Sequence, residues 1–126
     1  MGLAKRWLIL PILSSLAIPA LAQTLDIAGP YGNPDGCKFV KEGSVEGDQL
    51  LVLKPDGVQS YGTACQFVQV LPAKDGTKVV TGLCEAEGEE GVGVHMFAIR
   101  KSLNGPGALA IYDSEGSLWG EVKPCP

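Results

Sequence analysis

The sequence predicts an all-β domain in which consecutive antiparallel strands close into a small barrel. Short segments rich in Val, Ile, Leu and aromatic residues alternate with turn signals along the chain. Three of these turn signals contain Asp-Gly, which accepts the positive φ angles of tight hairpins. Four cysteines indicate two disulfides. We therefore expect a disulfide-braced meander that closes into a barrel and so removes exposed strand edges; a two-sheet β-sandwich is the alternative.

The first 22 residues are predicted to be a secretory signal peptide. Lys5 and Arg6 form a basic n-region, and the following WLILPILSSLAI is apolar but too short for a comfortable membrane span. Residues 20–22, Ala-Leu-Ala, have the small-x-small pattern of a cleavage site. Cleavage near Ala22 would leave residues 23–126 as a single β domain. We expect this domain to be periplasmic or secreted. No cysteine follows the cut directly, so we expect no stable membrane anchor.

Eight segments of the predicted mature chain have the composition of strands. They are CKFVK (37–41), QLLVLK (49–54), VQSY (58–61), ACQFVQVL (64–71), KVVTGLC (78–84), VGVHMFAIRK (92–101), ALAIYD (108–113) and LWGEV (118–122). The turn signals are NPDG (33–36), KPDG (54–57), AKDG (73–76), NGPG (104–107) and DSEG (113–116). No window of a dozen residues has an unbroken apolar stripe at helical spacing, which favours a meander of about seven strands. QLLVL is apolar on both sides, and we expect the extended segment TLDIAGPYGNPDG to cover it.

The cysteine spacing favours disulfides over a zinc site. No C-x-x-C pair is present, whereas structural zinc sites usually contain such pairs. Four cysteines allow three pairings. We favour Cys65–Cys84, which would join two consecutive strands, and Cys37–Cys125, which would join the first strand to the tail. We expect no metal or other cofactor.

The charge of the chain indicates a basic partner. Without Lys5 and Arg6 the 14 acidic residues outnumber the basic ones and give a net charge of −6. This disfavours nucleic acid and anionic lipid surfaces and suits a basic protein. In GLCEAEGEEGVGVHMF (82–97) the acids do not match a calcium-loop pattern. We expect a charged hairpin loop and an interaction patch. The residues assigned to this patch are Glu85, Glu87, Glu89, Glu90, His95 and Tyr112. The oligomeric state is left open.

No motif in the chain predicts catalysis. G-x-S-x-G and H-E-x-x-H are absent, and oxidised cysteines cannot act as nucleophiles. Strand alternation places His95 on the same face as Phe97. It places Trp119 on the face opposite Leu118 and Val122, and we expect Trp119 to fill the core. We expect a binding module without a catalytic site. The alternatives are a small metal-dependent or carboxylate-based hydrolase centred on His95, and a carrier that holds a small ligand in the barrel.

Four short pieces of the chain resemble a known group of proteins. They are Gly36-Cys37, SYGTACQF (60–67), CEAEG (84–88) and VKPC (122–125). The pattern resembles small four-cysteine periplasmic proteins of alphaproteobacteria, which implies a shared disulfide-braced β fold and no particular activity. A looser similarity is to the periplasmic inhibitors of c-type lysozyme, which are also exported, acidic, disulfide-containing β-barrels. In place of their S-G-x-x-Y loop this chain has GPGALAIYDSEG (105–116).

Overall fold

In a computed structural model the chain forms one closed, eight-stranded antiparallel barrel with a single short helix. The structure describes residues 2, 4, 9–15, 24–45 and 47–126. The strands are β1 (Tyr31–Gly32), β2 (Leu51–Lys54), β3 (Gly57–Ser60), β4 (Thr63–Pro72), β5 (Lys78–Ala86), β6 (Gly93–Lys101), β7 (Leu109–Tyr112) and β8 (Leu118–Pro124). This confirms the predicted barrel. The basic n-region and the cleavage site of the predicted signal peptide lie outside the described residues.

Each strand pairs with its neighbours in sequence, and β1 closes the barrel by pairing with both β2 and β8. In such a meander, alternate turns lie at the same end of the barrel. The β3–β4, β5–β6 and β7–β8 turns share one end with the β1–β2 connection (residues 33–50). We call it the acidic end for the charges of those three turns, described below. The β2–β3, β4–β5 and β6–β7 turns share the other, the basic end.

The prediction of a strand at residues 37–41 is wrong, because helix α1 (Pro34–Glu42) occupies this segment. Asn33 caps the helix: its side chain accepts the Gly36 N–H at 2.7 Å. Pro34 suits the first helical turn, because an N–H at that position has no partner within the helix and proline lacks one. Gly43, at φ 71°, ends the helix in the left-handed conformation that glycine accepts. The NPDG turn signal is therefore the start of a helix.

Asn33 and Gly36 also dock the helix against strand β2. The Asn33 side chain accepts the Leu51 N–H at 3.1 Å and donates to the backbone oxygen of Gln49. A Cβ atom on Gly36 would lie 2.0 Å from the Leu51 backbone oxygen, so only glycine permits this approach. Helix α1 contacts both β1 and β2, and Val52 is fully buried on the face of β2 opposite Leu51. The helix thus provides much of the cover that the apolar QLLVL segment requires.

Side chains fill the barrel interior, most tightly toward the basic end. Leu53, Val80, Ile111 and Val122 in the interior cluster are at most 1% exposed. Leu25, from the segment before β1, joins this cluster and is 5% exposed, and its N–H donates to the Pro55 oxygen in the β2–β3 turn at 2.7 Å. This segment therefore closes the basic end of the barrel.

A β-bulge changes the direction of Trp119. Ile111 pairs with Gly120 and Tyr112 pairs with Leu118, so Trp119 is the extra residue on β8. A bulge can bring two successive side chains toward one face, and Trp119 packs against the interior cluster on the same side as Val122. The prediction that Trp119 faces opposite Val122 is wrong for this reason. Trp119 packs against the core, as predicted, but it is only half-buried.

All four cysteines are paired as Cys65–Cys84 and Cys37–Cys125, the combination favoured from the sequence. Cys65 and Cys84 are register partners on β4 and β5. Cys125 follows β8 at the basic end, and its partner lies on helix α1 and not on a strand. Two disulfides and no free thiol indicate an oxidising compartment outside the cytosol. Within the described ranges, no helix combines the length and apolar character needed to cross a membrane.

Candidate functional site

Six carboxylates gather at the acidic end of the barrel. They are Glu85, Glu87, Glu89 and Glu90, at or beyond the end of β5, and Asp113 and Glu115 in the β7–β8 turn. The β3–β4, β5–β6 and β7–β8 turns contain no lysine or arginine, whereas helix α1 in the β1–β2 connection carries Lys38 and Lys41. The Glu87 N–H donates to the Gly62 oxygen at 2.7 Å, which ties the β5–β6 turn to the β3–β4 turn. These three turns therefore present a rim of a single charge sign.

The opposite end has a net positive charge, because its basic residues outnumber Asp56 and Asp75. Six basic residues lie on the strand ends and turns there: Lys54, Lys74, Lys78, Arg100, Lys101 and Lys123. Asp75 in the β4–β5 turn lies 3.9 Å from Arg100. Hydrogen bonds from the Thr77 backbone and hydroxyl, with a smaller contribution from the Arg100 charge, hold the pKa of the Asp75 carboxyl below its ordinary value. The barrel is thus electrically polarised along its axis.

An apolar strip runs along the outer face of β5–β8 beside the acidic rim. We call it the outer strip, and its members are Leu83, Val92, Val94, Met96, Tyr112 and Leu118. Leu83 pairs directly with Val94, and Tyr112 pairs with Leu118. Val94 is 68% exposed, and Tyr112 is the one member of the six that is half-buried and not exposed. Strand alternation turns the strip outward, because the intervening Cys84 and Phe97 face the interior.

The outer strip and the acidic rim form one surface. Glu85 projects from the same face of β5 as Leu83, two residues along the strand. Together with Val92, these two side chains line a surface depression of about 390 Å³. Apolar side chains at the centre and charged ones at the border are the arrangement found in protein–protein interfaces.

Inside the barrel, the acidic end opens into a cavity of about 220 Å³, which we call the mouth pocket. Its lining consists of Thr63, Cys65, Cys84, His95, Phe97, Asp113 and Trp119. Phe97 forms the centre of three nearly parallel rings: Trp119 lies 5.2 Å from it at 15°, and His95 lies 6.4 Å from it at 20°. Gly82, opposite His95 on β5, leaves room for the Phe97 ring.

Asp113 supplies the one carboxylate in the lining of the mouth pocket. Its Oδ1 accepts the N–H groups of Glu115 and Ser117, both at 2.9 Å, and so holds the β7–β8 turn. A carboxylate oxygen offers several acceptor directions, and Oδ2 takes part in neither bond. Asp113 can therefore brace the turn and still accept a hydrogen bond from a molecule in the pocket.

The structure divides the predicted interaction patch into two parts. Glu85, Glu87, Glu89, Glu90 and Tyr112 belong to the acidic rim and the outer strip. His95 faces the barrel interior, as the alternation predicts, and lines the mouth pocket. His95 and Glu85 thus lie on opposite faces of the sheet. In the described part of the chain, no three His, Cys, Asp or Glu side chains form a group that could hold a metal ion.

Sequence reasoning missed Asp113, Thr63 and the exposed members of the outer strip as functional candidates. The predicted strand order contained the necessary signal. In a meander, EAEGEEG and DSEG lie two turns apart and must share an end, and the face opposite Phe97 must carry Val94 and Met96. The place of Trp119 in the pocket depends on a bulge, which the alternation pattern does not show.

Comparison of the chain with protein-family models, with curated proteins and with solved structures finds no match.

Proposed function

We propose that this protein is a non-catalytic binding module that engages a basic protein through its acidic end. The observation that carries the proposal is the outer strip beside a rim of six carboxylates that contains no lysine or arginine. Monomeric proteins rarely expose contiguous apolar side chains without a use for them, and a polar border around such a patch is typical of an interaction site.

The outer strip and the acidic rim contribute differently to binding. Burial of exposed Val94, Met96 and Leu118 against a partner supplies apolar contact at roughly 25 cal/mol per Å², before the costs of association are subtracted. The carboxylates increase the rate of encounter with a cationic protein and reject anionic ones. The six basic residues at the other end repel the same partner, so the charge polarity also orients the approach.

The predicted signal peptide and the disulfides support a place of action in the periplasm or outside the cell. The sharpest version of the proposal is an inhibitor of c-type lysozyme, because that enzyme is strongly basic and the loose similarity described above points to its inhibitors. Lysozyme is therefore the first partner to test, and a basic protein of the envelope is the broader class.

The experiment compares two double variants with the same change in net charge. Glu89→Gln/Glu90→Gln neutralises two acids in the β5–β6 turn, and Asp56→Asn/Asp75→Asn neutralises two acids at the basic end. We expect the first variant to weaken lysozyme binding about tenfold at low salt, which corresponds to about 1.4 kcal/mol, and the second to leave it within about twofold. Calorimetry measures affinity, and lysis of cell-wall substrate measures inhibition. Unchanged lysozyme turnover with excess protein at low salt would eliminate the lysozyme version.

A second pair of variants tests the apolar component. Val94→Asp places a charge in the outer strip, whereas Leu103→Asp changes a fully exposed apolar residue in the β6–β7 turn of the basic end. The two residues are accessible, so we expect both variants to fold. Only Val94→Asp should abolish partner binding, and equal effects from the two substitutions would refute the outer strip as the contact surface.

A further inference from the structure

We propose that the mouth pocket binds the guanidinium group of one arginine side chain from the basic partner. This inference rests on the proposed function and names the group that anchors the partner. It concerns the interior of the acidic end, whereas the outer strip and the rim lie on its outside. Three features of this end support it: the flat ring surfaces, the placement of Asp113 and the sign of the surrounding charge.

The ring surfaces of the mouth pocket suit a planar cation. Trp119, Phe97 and His95 have nearly parallel planes, within 20° for each neighbouring pair. His95 is exposed and Trp119 only half buried, so these rings remain accessible from the mouth. A guanidinium group is planar and weakly hydrated, and it stacks on aromatic faces, of which tryptophan is the most favourable. The cavity of about 220 Å³ has room for a single side chain and little more.

Asp113 supplies the counter-charge at the edge of the same pocket. Its Oδ1 holds the turn through the N–H groups of Glu115 and Ser117, which fixes the carboxylate in position and does not use Oδ2. An arginine N–H···carboxylate bond is charge-assisted and roughly twice as strong as a neutral one. Thr63 also lines the pocket, and its hydroxyl can supply a second acceptor for the remaining N–H groups.

The charge of the rim selects against other occupants. The rim repels anions and offers no charge partner to a neutral apolar group. A lysine ammonium is a compact, strongly hydrated point charge that matches flat rings less well than a guanidinium does. The β3–β4, β5–β6 and β7–β8 turns contain no lysine or arginine that could compete for the pocket. An arginine side chain fits the rings, the carboxylate and the sign of the field together.

The test uses the Trp7→Phe variant, in which Trp119 is the only tryptophan. The NMR signal of the Trp119 indole N–H is followed during titration with Nα-acetyl-arginine amide, its lysine counterpart and the uncharged isostere Nα-acetyl-citrulline amide. We expect the arginine compound to bind about tenfold more tightly than citrulline and several-fold more tightly than lysine. Equal affinities for arginine and citrulline would overturn the proposal, since the pocket would then select shape without charge.

A matched pair of variants assigns the binding to Asp113. Asp113→Asn keeps an acceptor for the turn and removes the charge, and Asp75→Asn makes the same change in the β4–β5 turn at the basic end. We expect Asp113→Asn to weaken the arginine compound about tenfold and Asp75→Asn to leave it unchanged. Amide spectra establish that both variants are folded. Equal affinities in the two variants would contradict the inference.

Two further outcomes separate this inference from the proposed function. If the Glu89→Gln/Glu90→Gln variant weakens binding of the partner while the arginine compound does not bind at all, the mouth pocket is not the anchor and the proposed function stands. Unblocked arginine carries a carboxylate that the rim repels, so we expect it to bind more weakly than the amide. Tighter binding of unblocked arginine would indicate a free amino acid as the ligand and would overturn the assignment to a protein side chain.

Discussion

The two ends of this barrel are built from the same kind of hairpin but differ in packing and charge. At the basic end, Leu25 closes the interior, and lysines and one arginine surround it. At the acidic end the interior opens into the mouth pocket, where His95 and Trp119 remain accessible. The outer face beside this opening carries exposed apolar side chains. One end completes the core, whereas the other leaves apolar and charged groups available for a second molecule.

This difference shows how a small barrel can separate stability from binding. Closing one end with an extra segment allows the interior to be packed tightly where no access is required. Each end is also associated with one disulfide, Cys37–Cys125 beyond the basic end of β8 and Cys65–Cys84 in the mouth pocket. If this separation holds, stability should depend mainly on the basic end and binding on the acidic end.

Removing the disulfides in pairs should give the largest effect. Cys37→Ala/Cys125→Ala opens a loop of 88 residues and Cys65→Ala/Cys84→Ala one of 19. Without its cross-link the unfolded chain gains conformational entropy, which predicts decreases of about 4.6 and about 3.2 kcal/mol in the free energy of unfolding. Only the second pair lines the mouth pocket, so only its loss should weaken binding of the arginine compound. Urea unfolding and the NMR titration measure the two effects, and weaker arginine binding in the first variant would break the separation.

Shortening one apolar side chain at each end should give a smaller effect. Leu25→Ala removes a buried side chain from the closed end and should cost about 3 kcal/mol of unfolding free energy. Val94→Ala removes an exposed one from the outer strip and should change stability by less than about 0.5 kcal/mol while weakening partner binding. Thermal unfolding and calorimetry distinguish the two. A Val94→Ala protein as destabilised as Leu25→Ala would show that the outer strip is part of the packing.

At low pH the protein should lose a small part of its free energy of unfolding that comes from Asp75 in the β4–β5 turn. The pKa of Asp75 is lowered in the folded protein, so its ionised form stabilises the fold above the ordinary pKa of 3.8, and this contribution disappears as the pH falls through the folded-state value. Asp75→Asn should therefore lose less stability than the parent protein when the pH is reduced from about 5 to about 2.

The cause of the Asp75 effect can be tested separately. Arg100→Gln removes the nearby charge but keeps the hydrogen bonds from Thr77, which contribute most to the lowered pKa. Arg100→Gln should therefore retain most of the acid-dependent change in stability. If it abolishes that change, the ion pair and not the turn hydrogen bond is the main contribution.

The strands of this fold were predictable because their signals are local. β-Branched and aromatic residues alternate with Asp-Gly and Gly-rich turns, and strands β2–β8 lie where these patterns place them. Helix α1 was not predicted, since Asn and Pro start helices as readily as they start turns. Nine residues are also too few to show a helical period over a longer window. The deciding contact, the approach of Gly36 to the Leu51 backbone, is a tertiary one.

The candidate site was predictable only in part. The acidic residues and the face of His95 follow from composition and alternation. The mouth pocket, however, requires β4, β5, β6 and β8 to meet in a specific register, with Trp119 turned inward by the bulge opposite Ile111 and Tyr112. Register between strands and the position of bulges depend on packing across the whole barrel, which no short stretch of sequence encodes.

The path of the described chain has a practical consequence for attachment. The segment that contains Leu25 contacts Pro55, and the Cys125 N–H donates to the Pro30 oxygen, so both lie at the basic end. A linker that follows Pro126 would hold the barrel by that end and turn the pocket toward the surrounding medium. Immobilisation on a sensor chip through this position therefore leaves the carboxylate rim free for an incoming ligand, and a fused domain there would not cover it.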